Sequence, residues 1–193
     1  IPTKLENSDD VKATCVDIFK EFNSFDVIFY NIGGGLGMSD TMISFDDFSK
    51  VLWFNFGVIQ EFNLLMIPKI KPSGKIICIG SIATRQLIGS LGYTVAKTAL
   101  EIYVRFLGKE LIPKKISIMA LSIGAYWEKG NAMDRLKIRK PEVYNDFIET
   151  RLPRKKMATT EEIIPFISHF CVTDTSILSG SIIPMDGAEN ISL

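Results

Sequence analysis

Tyr93 and Lys97 stand four residues apart in GYTVAKTALEIYVRFLGKEL, a segment with helical periodicity. A helix places both side chains on one face. An ammonium beside a phenol favours the phenolate and lowers the pKa of a group that ordinarily titrates near pH ~10, which is one way to make a general acid/base. The spacing alone is weak. In a chain with five Tyr and this much Lys, a chance Tyr-x-x-x-Lys arises in about one such sequence in three, so its weight depends on what else the fold brings to the same place.

Composition bounds the fold. The chain has 193 residues, 47% of them hydrophobic and 23% charged, with no net charge. It reads as one globular domain over residues 1–193, long enough to bury a core. Balanced charge argues against a nucleic-acid or anionic-membrane binder, and the short cluster Arg154, Lys155, Lys156 reads first as a solvated loop. Cys15, Cys78 and Cys171 are odd in number and far apart, which gives neither a disulfide framework nor a Cys-x-x-Cys metal site and fits a reducing cytoplasm. His169 has no carboxylate or thiol neighbours in sequence, so no metal site is expected. No run of 18 apolar residues occurs, and VLWFNFGVIQEFNLLMIPKI is interrupted by Asn, Gln and Glu, as in a buried or interfacial helix. The chain begins at Ile without a signal-peptide pattern, and the expectation is that the natural start lies upstream.

The elements that must position Tyr93 and Lys97 alternate between helical and strand patterns. Asn7 or Ser8 caps a first helix, SDDVKATCVDIFKEF. DVIFYNIGGG is a continuous apolar run ending in glycines, as in a strand buried on both faces. Ser44 and Asp47 form a capping box for a helix running to about Met66 and closing before Pro68. A strand in KIICIGS, the loop IATRQLIGSLG and the Tyr93 helix follow. A strand in ISIMALSIG, a polar segment from about Tyr126 to Lys156, a helix capped by Thr159 and Glu162, and a strand in GSIIPMDG complete the chain.

Strands alternating with helices imply right-handed crossovers and a doubly wound parallel α/β sheet. Ligands in such sheets bind at the carboxyl ends of the strands. Asn31 and Gly33, Ser81, and Gly124 lie at those ends, so the topology sends them toward Tyr93.

With these residues in place the chain resembles the short-chain dehydrogenase/reductase family over nearly its whole length. YNIG at Tyr30 to Gly33 is similar to the family's Asn-Asn-Ala-Gly strand end, FNFG supplies Asn55, GSIA supplies Ser81, YTVAK carries Tyr93 and Lys97, and MDGAEN resembles the closing Asp-Gly-Gly segment. The resemblance implies a Rossmann-like fold, NAD or NADP as cofactor, and a small carbonyl or alcohol substrate. It implies Tyr93 as general acid/base, Lys97 as the group that lowers the Tyr93 pKa and holds the nicotinamide ribose, and Ser81 as the hydrogen-bond partner of the reacting oxygen. Asn55 would hold a water linking the lysine to solvent, with a structural amide as the other reading. Asn31, Gly33, Tyr93, Lys97 and Gly124 would contact the cofactor.

The glycine run Gly33, Gly34, Gly35, Gly37 does not make a G-x-G-x-x-G phosphate loop, because position 38 is Met38 and no helix begins there. Missing side chains that admit the cofactor, or plain turn formation, account for it. Ile123 replaces the family's proline before Gly124, and Ala188 the last family glycine. The family's amino-terminal strand, its glycine-rich turn and the strand after it have no counterpart, so the domain is expected to be amino-terminally incomplete. Val27 to Tyr30 would then form an apolar edge suited to a further strand.

The substrate is expected to meet the segment 126–156, the family's mobile flap, with Trp127, Arg135 and Arg139 as candidates. Two function classes are open. One is an NAD(P)-dependent oxidoreductase, and the other is a catalytically silent family member acting as a subunit or scaffold. A homodimer or homotetramer is expected through the helix of Trp53, Phe54, Phe56 and Phe62 and the Tyr93 helix.

Overall fold

Asn7 accepts the N–H groups of Asp9 and Asp10, and helix α1 (Ser8–Glu21) starts there with Val11, Thr14 and Cys15 turned inward. This is a computed structural model, and it describes residues 3–86 and 88–190. Strand β1 (Phe25–Tyr30) follows. Ser44 then accepts the N–H of Asp47 to open α2 (Phe45–Leu52). The reciprocal half of the expected capping box is absent, because the Asp47 carboxylate pairs with Lys50 at 2.9 Å.

The long helix expected here is divided. A π-helical turn, Trp53–Gly57, separates α2 from α3 (Val58–Met66), and a 3-10 turn with Pro68, Ile67–Lys69, ends the run. By length and composition Phe45–Lys69 could cross a bilayer, with mean hydropathy 1.2. In the fold its Val51, Val58 and Ile59 are wholly buried.

Strand β2 (Ile70–Ile79) leads to a short helix, α4 (Ala83–Gln86), where a loop was expected; four residues carry no period to read. Helix α5 (Leu91–Leu111) carries Tyr93 and Lys97, and β3 (Ser117–Ile123) follows. The polar segment holds strand β4 (Tyr126–Trp127), helices α6 (Ala132–Arg139) and α7 (Pro141–Arg151) and strand β5 (Ala158–Thr159). Both halves of the Thr159–Glu162 capping box open α8 (Thr160–Val172), and β6 (Ile182–Met185) is last.

The main sheet is parallel in the order β1-β2-β3-β6, and β4 pairs with β5 in a small second sheet. Alternation sends Ile76, Cys78, Ile118 and Ala120 to one face, against α1, α3 and α5. It sends Ile77, Met119 and Leu121 to the other, against α8. Helices on both faces explain why β2 and β3 read as unbroken apolar runs.

Among the described residues β1 pairs only with β2, and Phe29 is 40% exposed at this edge. A buried chain of hydrogen bonds ties the first face together: Tyr30 donates to Asn63 at 2.9 Å, and Asn63 donates to the Tyr103 hydroxyl at 3.2 Å. The aromatic residues expected at a subunit interface also pack within the chain. Phe62 is buried, and Trp53 and Phe56 pack on the core, while the exposed apolar side chains of this layer include Phe45, Leu64, Ile102 and Phe106.

Candidate active site

The carboxyl ends of the strands surround a cavity of about 730 Å³ whose wall includes Asn31, Gly33, Ser81, Tyr93, Lys97 and Gly124. Strand alternation and the start of α5 therefore bring together these six of the seven residues expected at the chemistry or the cofactor. Asn55 lies just behind the wall.

Lys97 is 2% exposed, and no carboxylate among the described residues pairs with it. Its Nζ donates to the Ile79 carbonyl at 2.8 Å and reaches the Ile32 carbonyl at 3.5 Å. An ammonium has three donors, so one N–H remains for a hydroxyl in the cavity. Burial brings the Lys97 pKa down to about 8, with Cys78 working in the opposite direction.

The expected depression of the Tyr93 pKa is not found. Burial raises it, the Ser81 hydroxyl works in the opposite direction, and Tyr126 adds a small rise. The reason is geometric, since Lys97 Nζ is 5.9 Å from the centre of the Tyr93 ring and is turned toward two carbonyls. The phenol is thus held neutral, ready to give a proton. Ser81 is fixed on both sides, its hydroxyl accepting the Ala83 N–H at 3.2 Å and its carbonyl lying 3.0 Å from the Thr84 hydroxyl.

Asn55 sits wholly buried in the π-helical turn. Its amide donates to the carbonyls of Val51 and Gly34 and accepts the Gly34 N–H, each at 2.9 Å. Every polar group of the amide thus has a protein partner, and its visible work is to hold the strand end after β1. Single π-type turns are frequent at functional sites because they aim one residue out of helical register.

Gly33 is explained by the same contact. Its φ is +147°, and a Cβ there would fall 2.6 Å from Asn55 Oδ1 and 2.8 Å from Lys97 Nζ. The missing side chain admits these two residues, whereas the sequence suggested room for a ligand. Gly124 behaves similarly, because a Cβ would lie 2.8 Å from both Asp186 and the Glu189 carboxylate.

The segment after β3 caps the cavity. Arg135 lines it and Arg139 does not. Trp127, expected to face a ligand, is used within the cap. Its indole donates to Asp134 at 3.1 Å, the Lys137 ammonium sits 5.6 Å above its ring, and it packs beside Tyr144, Leu152 and Met157. Tyr126 lines the cavity in its place. Arg154 and Lys156 both pair with Glu162, which offsets part of the charge of that basic cluster. Among the described residues no group of three or more His, Cys, Asp or Glu is arranged to hold a metal ion.

Sequence reasoning missed Arg151 and Glu189, which also line the cavity. Glu189 follows the turn after the last strand, so the strand-end rule, applied to every strand, would have found it.

A family model described as enoyl-(acyl carrier protein) reductase matches residues 1–188. The chain is 24% identical over 192 residues to the 3-oxoacyl-[acyl-carrier-protein] reductase FabG of Buchnera aphidicola subsp. Baizongia pistaciae, covering 97% of this chain and 75% of that protein. It is 25% identical over 187 residues to the glucose 1-dehydrogenase of Gluconobacter oxydans, covering 95% and 69%. Among solved structures, the Pseudomonas aeruginosa RhlG/NADP active-site complex superposes with a TM-score of 0.87 at 19% identity, over 99% of this chain and 76% of that one.

Proposed function

Because the chain belongs to the short-chain dehydrogenase/reductase family, we propose that it interconverts a carbonyl and a secondary alcohol with a nicotinamide cofactor, Tyr93 acting as general acid/base. One observation carries the reading: Lys97 is an ammonium 2% exposed, held by backbone carbonyls beside a phenol at the wall of a cavity. A buried charge without an anionic partner is costly, and a side chain kept only for packing would avoid it.

The residues fit the ribose half of the cofactor, since Lys97 retains a free donor and Asn31 and Gly33 shape the wall beside it. NAD and NADP are both admitted. When bound, the cofactor supplies or accepts the hydride.

The chain's own residues handle position and protons. Ser81 donates to the reacting oxygen and fixes its distance from Tyr93. In reduction the Tyr93 hydroxyl gives its proton to that oxygen, and in oxidation the phenolate takes one back. Lys97, turned from the phenol toward two backbone carbonyls, is left to hold a ribose hydroxyl with its third N–H. Asn55 anchors the Gly34 backbone and so holds the strand end after β1 beside Lys97.

Fluorescence titration with NADH and NADPH tests the reading, and binding of at least one is expected. Tyr93→Phe is expected to keep that binding and lower turnover of a ketone and secondary-alcohol panel by at least ~100-fold. A folded sample that binds neither cofactor overturns the proposal. Self-association belongs to the same reading, with Leu64, Ile102 and Phe106 exposed on neighbouring helices. Light scattering that reports a stable monomer at micromolar concentration would refute that part alone.

A further inference from the structure

Glu189 is a buried carboxylate that the proton chemistry does not use. It is 5% exposed, yet it lines the same cavity as Ser81 and Tyr93. One oxygen, Oε2, accepts the Ala125 N–H at 2.7 Å. The other oxygen has no hydrogen-bond partner among the described residues. An ionised carboxylate accepts about four hydrogen bonds, so most of this group's acceptor capacity is unmet.

Its place is built into the fold. The turn after β6 returns the chain toward the end of β3, where Asp186 accepts the N–H of Ala188 at 3.0 Å and its backbone carbonyl accepts the N–H of Glu189 at 3.2 Å. The carboxylate then occupies the space that Gly124 leaves, 2.8 Å from where a Cβ would be. Gln86, from the short helix after Ser81, donates to the Glu189 backbone carbonyl at 2.5 Å. The segment carrying Glu189 is thus tied to two of the strand ends that form the site.

We propose that Glu189 is a substrate subsite that accepts a hydrogen bond from a second hydroxyl, making the preferred substrate a hydroxylated carbonyl compound or diol. This rests on the oxidoreductase reading above. A hydroxyl is favoured over an ammonium by charge: the other ionisable side chains at the wall include Lys97, Arg135 and Arg151, all cationic, and they repel a cationic ligand. Burial raises the Glu189 pKa, the Ala125 N–H opposes this, Asp186 adds to it, and Arg151 favours the ionised form.

The test compares trans-1,2-cyclohexanediol with cyclohexanol, which differ by one hydroxyl. Dissociation constants come from ligand-observed NMR with and without NADP, and kcat/KM from oxidation by the same protein. A hydrogen bond to a charged acceptor is worth ~1.5–3 kcal/mol, so the wild type is expected to favour the diol by about 10- to 150-fold. Glu189→Ala is expected to bring the ratio close to one, and Glu189→Gln to keep part of it.

A wild-type ratio within twofold of one, or a preference that survives in Glu189→Ala, overturns the proposal. So does weakened NADP binding in Glu189→Ala with the ratio intact, since that would give the carboxylate to the cofactor. A diol preference without any cofactor binding would sink the oxidoreductase reading and leave the subsite standing. Binding of neither alcohol rejects the subsite whatever the cofactor result.

Discussion

The Thr84 hydroxyl lies 2.9 Å from Glu101 Oε1, and on its other side 3.0 Å from the backbone carbonyl of Ser81. A hydroxyl has one proton. Both contacts are full hydrogen bonds only when Glu101 is protonated and donates to Thr84, which then donates to Ser81. Glu101 is 7% exposed and takes part in none of the ion pairs among the described residues. Burial raises its pKa, against the Thr84 hydroxyl and the charges of Arg85 and Arg105.

The pH dependence follows. The folded chain holds this proton more tightly than the unfolded one, so the stabilisation is complete below the ordinary carboxyl range and is lost as pH rises through the raised pKa. Denaturant unfolding from pH 4 to 8 is expected to show a loss in the wild type that Glu101→Gln lacks. A protonated-carboxyl infrared band is expected to disappear in the same variant. Parallel stability curves for the two proteins would refute the shared proton.

Lys97 gives a dependence of opposite sign. Its pKa falls from 10.5 to about 8 on folding, mainly through burial, so between those values the unfolded chain binds more protons. Stability contributed by this group therefore rises with pH across that window, and below about 8 the full burial cost applies. The difference in unfolding free energy between the wild type and Lys97→Met is expected to change from pH 7.5 to 10.5, in favour of the wild type as pH rises. A constant difference would mean that the ammonium is not penalised by its site.

Gly33→Ala and Gly37→Ala separate close approach from backbone conformation. Both glycines have positive φ, +147° and +77°, but a Cβ at Gly37 meets nothing within 4 Å. Gly37→Ala is expected to cost about 1 kcal/mol of strain. Gly33→Ala must also displace Asn55 or Lys97, and it is expected to cost about 2 kcal/mol or more and to abolish turnover. Equal losses of Tm in the two variants would show that the Asn55 and Lys97 contacts do not matter at Gly33.

Much of the site was legible because the strand-end rule depends only on topology. Asn31, Ser81, Tyr93, Lys97 and Gly124 each follow a strand or open the helix that returns to it, so their order in the chain sufficed. Protonation was not legible. The four-residue spacing of Tyr93 and Lys97 says that they share a face, while the pKa of each is decided mainly by burial, which depends on the whole fold. The π-helical turn at Asn55 left no mark because one extra residue scarcely disturbs an apolar helical pattern. Helices α6 and α7 were read as a polar segment because their few inward residues, such as Tyr144, contact the cap and not the main core.

That small separate core makes the cap testable by itself. Lys137 Nζ lies 5.6 Å from the Trp127 ring centre and 5.7 Å from that of Tyr144, linking α6 to β4 and α7. Each cation–π contact is worth ~0.5–1 kcal/mol at an exposed site. Lys137→Met keeps most of the apolar stem and removes the charge, so the cap should open more often while the sheet is untouched. Hydrogen exchange in residues 132–151 is expected to quicken by about 5- to 10-fold, which corresponds to ~1–1.4 kcal/mol, with amides of β2 and β3 unchanged. Unaltered exchange across the cap would show that its closure rests on the Tyr144, Leu152 and Met157 packing alone.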